Sequence, residues 1–148
     1  MKKVFIDGSA GTTGLRITER LEQRKDIELI KLTEENRKDI TARKQALNQA
    51  DIAFLCLPDT ASVEAVELTQ TTNTVLLDTS TAHRTNPEWT YGLPELSLGQ
   101  REKIAKSKRI AVPGCHASGV IALVYPLIES GILPKEALLS AVSLTGYS

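Results

Sequence analysis

Residues 3–14 read Lys-Val-Phe-Ile-Asp-Gly-Ser-Ala-Gly-Thr-Thr-Gly, and this stretch decides the fold class. The apolar run at residues 3–6 is typical of a short buried strand, and Asp7-Gly8 ends it. From Thr12 onwards, apolar residues recur near helical spacing with charged residues between them: Leu15, Ile17 and Leu21. The stretch therefore predicts a first strand, a glycine-rich turn and a first helix.

The same alternation continues along the rest of the chain. Short apolar runs predict four further strands, at residues 27–32, 51–57, 75–78 and 109–112. Amphipathic segments between and after them predict helices at about residues 41–47, 59–69, 100–106 and 117–129. In the helix at 59–69 we expect Val63, Val66 and Leu68 to face inward. Strands alternating with helices imply right-handed parallel crossovers, and hence an α/β protein with a doubly wound, mostly parallel sheet.

The composition gives no support for nucleic-acid binding, membrane association or a disulfide-rich fold. Lys plus Arg and Asp plus Glu each number 18, so no charge excess favours nucleic acid or an anionic membrane. No apolar run has the length of a membrane span. The two cysteines, Cys56 and Cys115, lie far apart, which suits a reducing cytoplasm and not a disulfide framework. No metal site is predicted.

The glycine-rich turn at residues 8–14 has the spacing G-x-x-G-x-x-G and joins the first strand to the first helix. In such a turn the first glycine permits a tight bend, the second allows close approach to a pyrophosphate, and the third allows close packing of helix on strand. The exposed N–H groups and the dipole of the helix favour the phosphate charge. We therefore predict dinucleotide binding, the alternative being a tight turn that binds nothing. The choice between NAD and NADP stays open, because acidic and basic residues both follow the second strand: Glu34, Glu35, Arg37 and Lys38.

The two cysteines differ in their surroundings. Cys56 lies in an apolar strand and is interpreted as a core residue. Cys115 follows Pro113-Gly114 at the start of a predicted helix, where the dipole and free N–H groups stabilise a thiolate. A thiolate beside a nicotinamide is suited to attack an acyl phosphate, form a thioester and yield an aldehyde by hydride transfer. The alternative is a buried helix-capping thiol. Neither His83 nor His116 is expected to be the base; each is interpreted as a surface or supporting residue.

The chain resembles a known enzyme family over essentially its whole length. The segments that carry the resemblance are Gly8-Ser-Ala-Gly-Thr-Thr-Gly14, Phe54-Leu-Cys-Leu-Pro-Asp59, Asp78-Thr-Ser-Thr-Ala-His-Arg84, Tyr91-Gly-Leu-Pro-Glu-Leu96, Pro113-Gly-Cys-His-Ala-Ser118 and Gly146-Tyr-Ser148. They are similar to the N-acetyl-gamma-glutamyl-phosphate reductases, particularly the shorter form. The Tyr-Gly-Leu-Pro-Glu and Pro-Gly-Cys segments together are the specific ones.

The resemblance implies NADPH-dependent reduction of N-acetyl-gamma-glutamyl phosphate, a step of arginine biosynthesis in the cytoplasm. It implies that Cys115 is the nucleophile and that Arg84 and Ser118 contact the substrate. For Arg84 the alternative is an ion pair that anchors its loop. It also implies a set of residues around NADP(H): Gly8, Ser9, Ala10, Gly11, Thr12, Thr13, Gly14, Pro58 and Ser80.

Two domains are expected on the same basis. Residues 1–114 would form a Rossmann-like NADP-binding domain, and residues 115–148 the cysteine helix and the start of a truncated α+β substrate and dimerisation domain. Residues 138–144 resemble one more strand, whose open edges predict association or disorder. Family members continue for about as long again and supply the catalytic His and a homo-oligomeric interface there. The isolated chain is therefore expected to bind NADP(H) weakly and to turn over little.

Four other functions are possible from the sequence. The chain could be an aspartate-semialdehyde dehydrogenase, although Tyr91-Gly-Leu-Pro-Glu-Leu96 argues against this, or a reductase of a carrier-bound aminoacyl phosphate. A different class is a non-catalytic NADP-binding domain in which Cys115 senses oxidation. A pure scaffold would leave the glycine turn and Pro113-Gly-Cys115 without a role.

Overall fold

A computed structural model describes residues 1–69 and 73–144, and it contains one parallel sheet with helices packed on it. Within these residues the strands are β1 (Lys2–Asp7), β2 (Ile27–Ile30), β3 (Ile52–Leu55), β4 (Val75–Asp78), β5 (Thr90–Tyr91) and β6 (Arg109–Ala111). Their order is β2-β1-β3-β4-β6-β5, and every neighbouring pair is parallel. The α/β prediction is confirmed. Residues 146–148, which contribute to the resemblance, lie outside the described residues.

The helices follow the predicted alternation closely. They are α1 (Thr12–Glu22), α2 (Ile40–Gln49), α3 (Asp59–Leu68), α4 (Gln100–Lys106) and α5 (Cys115–Glu129). The helix predicted from residue 117 begins two residues earlier, so that Cys115 is its first residue. Strand β5 was not predicted, because two residues carry no readable periodicity. It is held by pairing with β6, and Gly92 N donates to the Ala111 carbonyl at 2.8 Å just beyond it.

The chain reverses direction across the sheet between β1 and β3. From β1 it crosses to β2 at one edge, then returns past β1 to β3 and continues away towards β4. In open α/β sheets such a switch point opens a crevice at the carboxyl ends of the strands, where ligands bind. The glycine turn follows β1 directly, so the fold places it at this crevice.

The core lies between the sheet and helices α2 and α3. Leu47 on α2, Leu55 on β3 and Leu76 on β4 are completely buried in it. The inward assignment of Val63 is wrong, since 42% of this residue is exposed. Ser62 and Ala65 point into the protein in its place, because the Ser62 hydroxyl donates to the buried carboxylate of Asp78 at 2.6 Å. Val66 and Leu68 pack against the core as predicted.

Residues 115–144 differ from the rest of the described chain. Helix α5 is apolar but contains no buried residue. The strand predicted at residues 138–144 is wrong: these residues have no regular secondary structure. A strand needs a neighbouring strand for its backbone hydrogen bonds, and β5 and β6 pair with each other and not with this segment.

Candidate functional site

The candidate site lies along the carboxyl edge of the parallel sheet. Each segment that leaves a strand there bonds to the neighbouring strand: Cys56 N donates to the Asp7 carbonyl (2.8 Å), Thr79 N to Leu55 (3.0 Å) and Val112 N to Asp78 (2.8 Å). These three bonds join the carboxyl ends of β1, β3, β4 and β6. The predicted site residues therefore share one edge, although the chain separates them by up to about a hundred positions.

The glycine turn is shaped by two crowded glycines and one open glycine. Gly8 has φ +87°, and a Cβ there would lie 2.2 Å from the Cys56 carbonyl oxygen. A Cβ on Gly14 would lie 2.3 Å from the Gly8 carbonyl oxygen. At Gly11 the nearest atom to such a Cβ is 3.5 Å away. Gly8 and Gly14 thus serve the bend and the packing of α1, whereas Gly11 leaves backbone accessible to a ligand.

A cavity of about 780 Å³ opens between this turn and the end of β2. Four of the predicted cofactor residues line it: Gly8, Ser9, Ala10 and Gly11. Its apolar wall includes Leu15 of α1, which is 52% exposed because it faces the cavity and not the core. The remaining predicted cofactor residues do not line this cavity: Thr12, Thr13, Gly14, Pro58 and Ser80. The volume is within the range of small-molecule sites.

A buried ion pair lines the cavity, and sequence reasoning missed it. Arg43 on α2 donates from Nε and Nη2 to the carboxylate of Asp7 at 3.0 to 3.2 Å, and from Nη1 to Glu64 at 3.3 Å. Burial acts to lower the pKa of Arg43, but the hydrogen bonds and negative charges of Asp7 and Glu64 together outweigh it and hold that pKa above its ordinary value. The guanidinium therefore stays charged and ties the end of β1 to α2 and α3. No local signal marked Arg43 in its polar segment.

A second buried carboxylate, Asp78, organises the segment after β4. It accepts hydrogen bonds from the Ser80 hydroxyl (2.7 Å), the Ser80 backbone N–H (3.0 Å), the Ser62 hydroxyl and the His83 Nδ1, the last at 2.6 Å. Burial acts to raise the pKa of Asp78, yet these hydrogen bonds together hold it below its ordinary value. His83 is buried and stacks on Trp89 with ring centroids 4.1 Å apart, so it is a supporting residue and not a surface one. Ser80, predicted near the cofactor, is thereby fixed in place.

Arg84 lies against the backbone that precedes Cys115, at the end of β6. Arg84 donates from Nε to the Val112 carbonyl and from Nη2 to the Thr79 carbonyl, both at 3.0 Å. A Cβ on Gly114 would lie 2.4 Å from Arg84 Nη1, so the guanidinium packs against the backbone that precedes Cys115. No carboxylate pairs with Arg84 in residues 1–69 and 73–144, so backbone carbonyls and not an ion pair anchor it. Within the described residues, two of its five N–H groups are bonded in this way.

The other predicted residues near Cys115 have local partners. The Ser118 hydroxyl donates to the Gly114 carbonyl at 2.8 Å, one turn back along α5. His116 is exposed and its Nδ1 contacts the Ser143 hydroxyl. Cys115 itself is exposed, so the alternative of a buried capping thiol is wrong. Cys56 is half-buried, and that burial raises the pKa of its thiol to about 11.

The part of the chain that the structure describes supports neither a metal site nor a membrane-spanning helix. No group of three or more His, Cys, Asp or Glu side chains there could hold a metal ion. None of the helices in residues 1–69 and 73–144 has both the length and the apolar character needed to cross a membrane.

Comparison with known proteins assigns a family to most of the chain. Residues 3–107 match the family model described as the semialdehyde dehydrogenase NAD-binding domain. The match begins in β1 and extends through α4, so it includes the glycine turn, the cavity and the segment from Asp78 to Arg84.

Curated relatives match over nearly the whole chain. The N-acetyl-gamma-glutamyl-phosphate reductase of Trichormus variabilis is 50% identical over 146 residues, which cover 99% of this chain and 45% of that protein. A protein of Pseudomonas putida named N-acetyl-gamma-glutamyl-phosphate reductase 2 is 50% identical over 145 residues, covering 98% of this chain and 46% of its own length. The chain therefore spans about half the length of the curated relatives it matches.

Solved structures share the fold at low sequence identity. An aspartate semialdehyde dehydrogenase from Francisella tularensis superimposes with a TM-score of 0.62 at 15% identity, covering 89% of this chain and 42% of that one. An aspartate semialdehyde dehydrogenase with NADP from Candida albicans gives a TM-score of 0.60 at 18% identity, covering 88% and 47%. At such identities the likeness shows a shared fold and not a shared substrate.

Proposed function

The chain belongs to the semialdehyde dehydrogenase family through its NAD-binding domain, and from that premise we propose that it is the cofactor-binding half of an N-acetyl-gamma-glutamyl-phosphate reductase. Its substrate would be a small acyl phosphate in the cytoplasm, in arginine biosynthesis. Relatives that are 50% identical over nearly the whole chain support this substrate, whereas the aspartate semialdehyde dehydrogenases share only the fold.

One observation carries the proposal: the sheet brings the glycine turn and Cys115 to the same carboxyl edge. The turn follows β1 and the cysteine follows β6, with the segments after β3 and β4 bonded between them. A cofactor that crosses this edge from the cavity would reach towards Cys115 past Pro58 and Ser80. Those two residues lie outside the cavity, as expected if they contact the part of the cofactor beyond the turn.

The residues present suit a dinucleotide phosphate. Gly11 leaves room beside its backbone, and α1 begins at Thr12 with the positive end of its dipole at the turn. The seven residues of the turn would hold the pyrophosphate. The cofactor assigned is NADP(H), which when bound supplies or accepts the hydride.

The chain's own residues would carry the acyl transfer. The Cys115 thiolate attacks the carbonyl carbon of the acyl phosphate, an S–C bond forms, and the C–O bond to phosphate breaks with release of inorganic phosphate. Arg84, whose guanidinium packs beside Gly114, would bind the phosphate or the substrate carboxylate. Ser118, one turn further along α5, would line the substrate side. Bound NADPH would supply the hydride for the thioester carbon, and Cys115 would leave as the thiolate when the aldehyde forms.

The proposed function also implies a division of the chain into two domains. Residues 1–114 would be the cofactor domain, and residues 115–148 the cysteine helix and the start of a substrate domain. The burial pattern supports this division, because the core ends with β6 and α5 has no buried residue. In the longer relatives the remaining sequence would supply the general base and a homo-oligomeric interface. The chain alone would then bind cofactor and turn over little.

A chimeric enzyme tests this function with a complete catalytic domain. This chain replaces the matching 146 residues of the Trichormus variabilis relative, and NADP⁺ reduction is followed with N-acetylglutamate semialdehyde and phosphate. We expect steady turnover by the chimera, little by the chain alone, and loss in the Cys115→Ser chimera. Cys56→Ser is the matched control and should keep most of the activity.

The alternatives have their own outcomes in the same assay. Activity with aspartate semialdehyde and not with the N-acetylated aldehyde would identify an aspartate-semialdehyde dehydrogenase. A folded chimera that binds NADP⁺ but is inactive with every aldehyde would favour the sensing domain. Activity that survives Cys115→Ser would show that Cys115 is not the nucleophile.

A further inference from the structure

Two segments that the sequence marks as specific lie on neighbouring strands at the carboxyl edge. Tyr91 ends β5 and is followed by Gly-Leu-Pro-Glu, while Ala111 ends β6 and is followed by the residues that lead to Cys115. The two strands are parallel neighbours, with Tyr91 opposite Ala111. Residues 92–95 therefore leave the sheet beside residues 111–114, which we call the lead-in segment. The acyl-transfer steps described above give residues 92–95 no role.

Gly92 packs closely against the end of β6 and the lead-in segment. Its N–H donates to the Ala111 carbonyl at 2.8 Å. A Cβ on Gly92 would lie 3.1 Å from both the Ala111 carbonyl oxygen and Ile110 Cγ2, and the same Cβ would lie 3.4 Å from Pro113 Cδ. Non-bonded carbon atoms are normally about 3.5–4.0 Å apart, so any side chain at this position would displace the end of β6 and the lead-in segment.

Bonds from the β4 side hold the opposite side of the lead-in segment. Val112 N donates to the Asp78 carbonyl at 2.8 Å, and the Val112 carbonyl accepts from Arg84 Nε at 3.0 Å. Arg84 Nη1 lies 2.4 Å from the position that a Cβ on Gly114 would take. The lead-in segment is therefore held between Arg84 on one side and Gly92 on the other, and α5 begins directly after it.

The turn that contains Gly92 is anchored by α4. Gln100, the buried first residue of α4, donates from Nε2 to the Tyr91 carbonyl at 2.6 Å. Its backbone N–H donates to the Ser97 carbonyl at 3.1 Å. Supporting contacts of this kind are needed where one residue fixes the position of another in a site.

We propose that Gly92 is a positioning residue for the acyl transfer: its lack of a side chain fixes the lead-in segment and so sets Cys115 relative to Arg84. The inference rests on the proposed function, because it takes Cys115 as the nucleophile. A small misplacement of the nucleophile lowers the rate of attack. It has little effect on cofactor binding, since β3 and β4 separate β6 from the strands at the cavity. The Tyr-Gly-Leu-Pro-Glu and Pro-Gly-Cys segments thereby share one function.

Backbone amide NMR of the 148-residue chain tests the contact without requiring catalysis. Gly92→Ala should shift the amide signals of residues 114–118, because the added Cβ displaces the lead-in segment. Gly99→Ala is the matched control: φ at Gly99 is +82°, so alanine is strained there, yet the nearest atom listed around such a Cβ is Glu102 Oε2 at 3.9 Å. It should leave the signals of residues 114–118 unchanged. A folded Gly92→Ala chain with unshifted signals there, or equal shifts in both variants, overturns the inference.

Kinetics of the chimera test the consequence for the reaction. Gly92→Ala should lower kcat for NADP⁺ reduction by about tenfold, since a misplacement of about 1 Å can cost about a hundredfold. KM for NADP⁺ should change by less than about twofold, because the cavity is untouched. Gly99→Ala should keep kcat even where it lowers Tm. A loss of kcat that matches the unfolded fraction measured by circular dichroism, or that Gly99→Ala reproduces, assigns Gly92 a structural role only and overturns the inference.

Gln100→Leu decides the question if Gly92→Ala does not fold. It removes the hydrogen bond to the Tyr91 carbonyl without adding an atom beside the lead-in segment. We expect shifted signals at residues 114–118 and a kcat lower by about threefold, as for the loss of one neutral hydrogen bond. Unchanged signals or an unchanged kcat overturns the inference. An inactive wild-type chimera overturns the proposed function, whereas the amide shifts still report whether Gly92 sets the position of Cys115.

Discussion

The buried apolar side chains that the structure describes all lie in residues 4–111, whereas in residues 115–144 most apolar side chains face solvent. Leu47, Leu55 and Leu76 are fully buried in the first region. In the second, Leu123 is 74% exposed and Leu138 is fully exposed. Both regions were predicted to form regular structure, yet only the first contains a sheet that can bury its side chains. The first region contains the glycine turn and the cavity, and the second begins with Cys115, the proposed nucleophile.

The two cysteines show what this difference means for chemistry. Cys56 follows β3, is half-buried, and has a pKa raised to about 11 by that burial. Cys115 begins α5 and is exposed. A thiol inside the first region is protected from reaction, and a thiol at the border of the second is open to it.

Matched leucine truncations should show the largest contrast between the regions. Leu55→Ala removes a completely buried side chain from the middle of the core and should cost about 2–5 kcal/mol of unfolding free energy. Leu123→Ala removes one that is mostly exposed on α5 and should change stability by less than about 0.5 kcal/mol. Urea unfolding followed by circular dichroism measures both. Equal losses would mean that α5 is packed as tightly as the sheet.

Glycine substitutions sharpen the same contrast. Gly14→Ala would place its Cβ 2.3 Å from the Gly8 carbonyl oxygen, and we expect a loss of about 3 kcal/mol because backbone must move. Gly119 lies in α5 with no atom within 4 Å of such a Cβ, so Gly119→Ala should raise helix stability by up to about 1 kcal/mol. Thermal melts of the two variants provide the comparison. A stable Gly14→Ala protein would show that α1 does not pack closely on the turn.

The cysteines should differ in their rate of alkylation. At pH about 8 a thiol with a pKa of about 11 is roughly one part in a thousand thiolate, so Cys56 should react slowly with iodoacetamide. Exposed Cys115 should react at least about tenfold faster. Peptide mass spectrometry against time measures the two rates in one sample. Faster labelling of Cys56 would contradict the burial that separates them.

The smallest expected effect is a pH dependence that comes from the first region. Hydrogen bonds hold the pKa of Asp78 below its ordinary value of 3.8 against the opposing effect of burial. A carboxylate with a lowered folded-state pKa contributes its full stability above the unfolded-state pKa and loses it as pH falls through the folded-state pKa. Unfolding free energy should therefore fall more steeply below about pH 4 in the wild-type chain than in Asp78→Asn. Parallel slopes would show that Asp78 is not the group responsible.

The sequence predicted features that depend on local pattern. The strand at Val75–Asp78 and the helix at Gln100–Lys106 matched to the residue, and the glycine turn follows β1 as expected. Features that depend on distant partners were missed or misplaced. The Asp7–Arg43 pair joins residues 36 positions apart, and Val63 was assigned inward because periodicity cannot show that Ser62 bonds to Asp78. The prediction of a strand at residues 138–144 was wrong for the same reason, because an apolar pattern alone does not provide a neighbouring strand.

The central claim is that the glycine turn and Cys115 serve one reaction, and a pre-steady-state burst tests it most directly. The chimera is mixed with NADP⁺ and N-acetylglutamate semialdehyde without phosphate, and NADPH is followed by stopped-flow absorbance. The account predicts a burst of about one NADPH per chain, a thioester at Cys115 seen by mass spectrometry, and steady turnover once phosphate is added. A chimera that reduces NADP⁺ without a burst or thioester, or a burst that persists in Cys115→Ser, would contradict it.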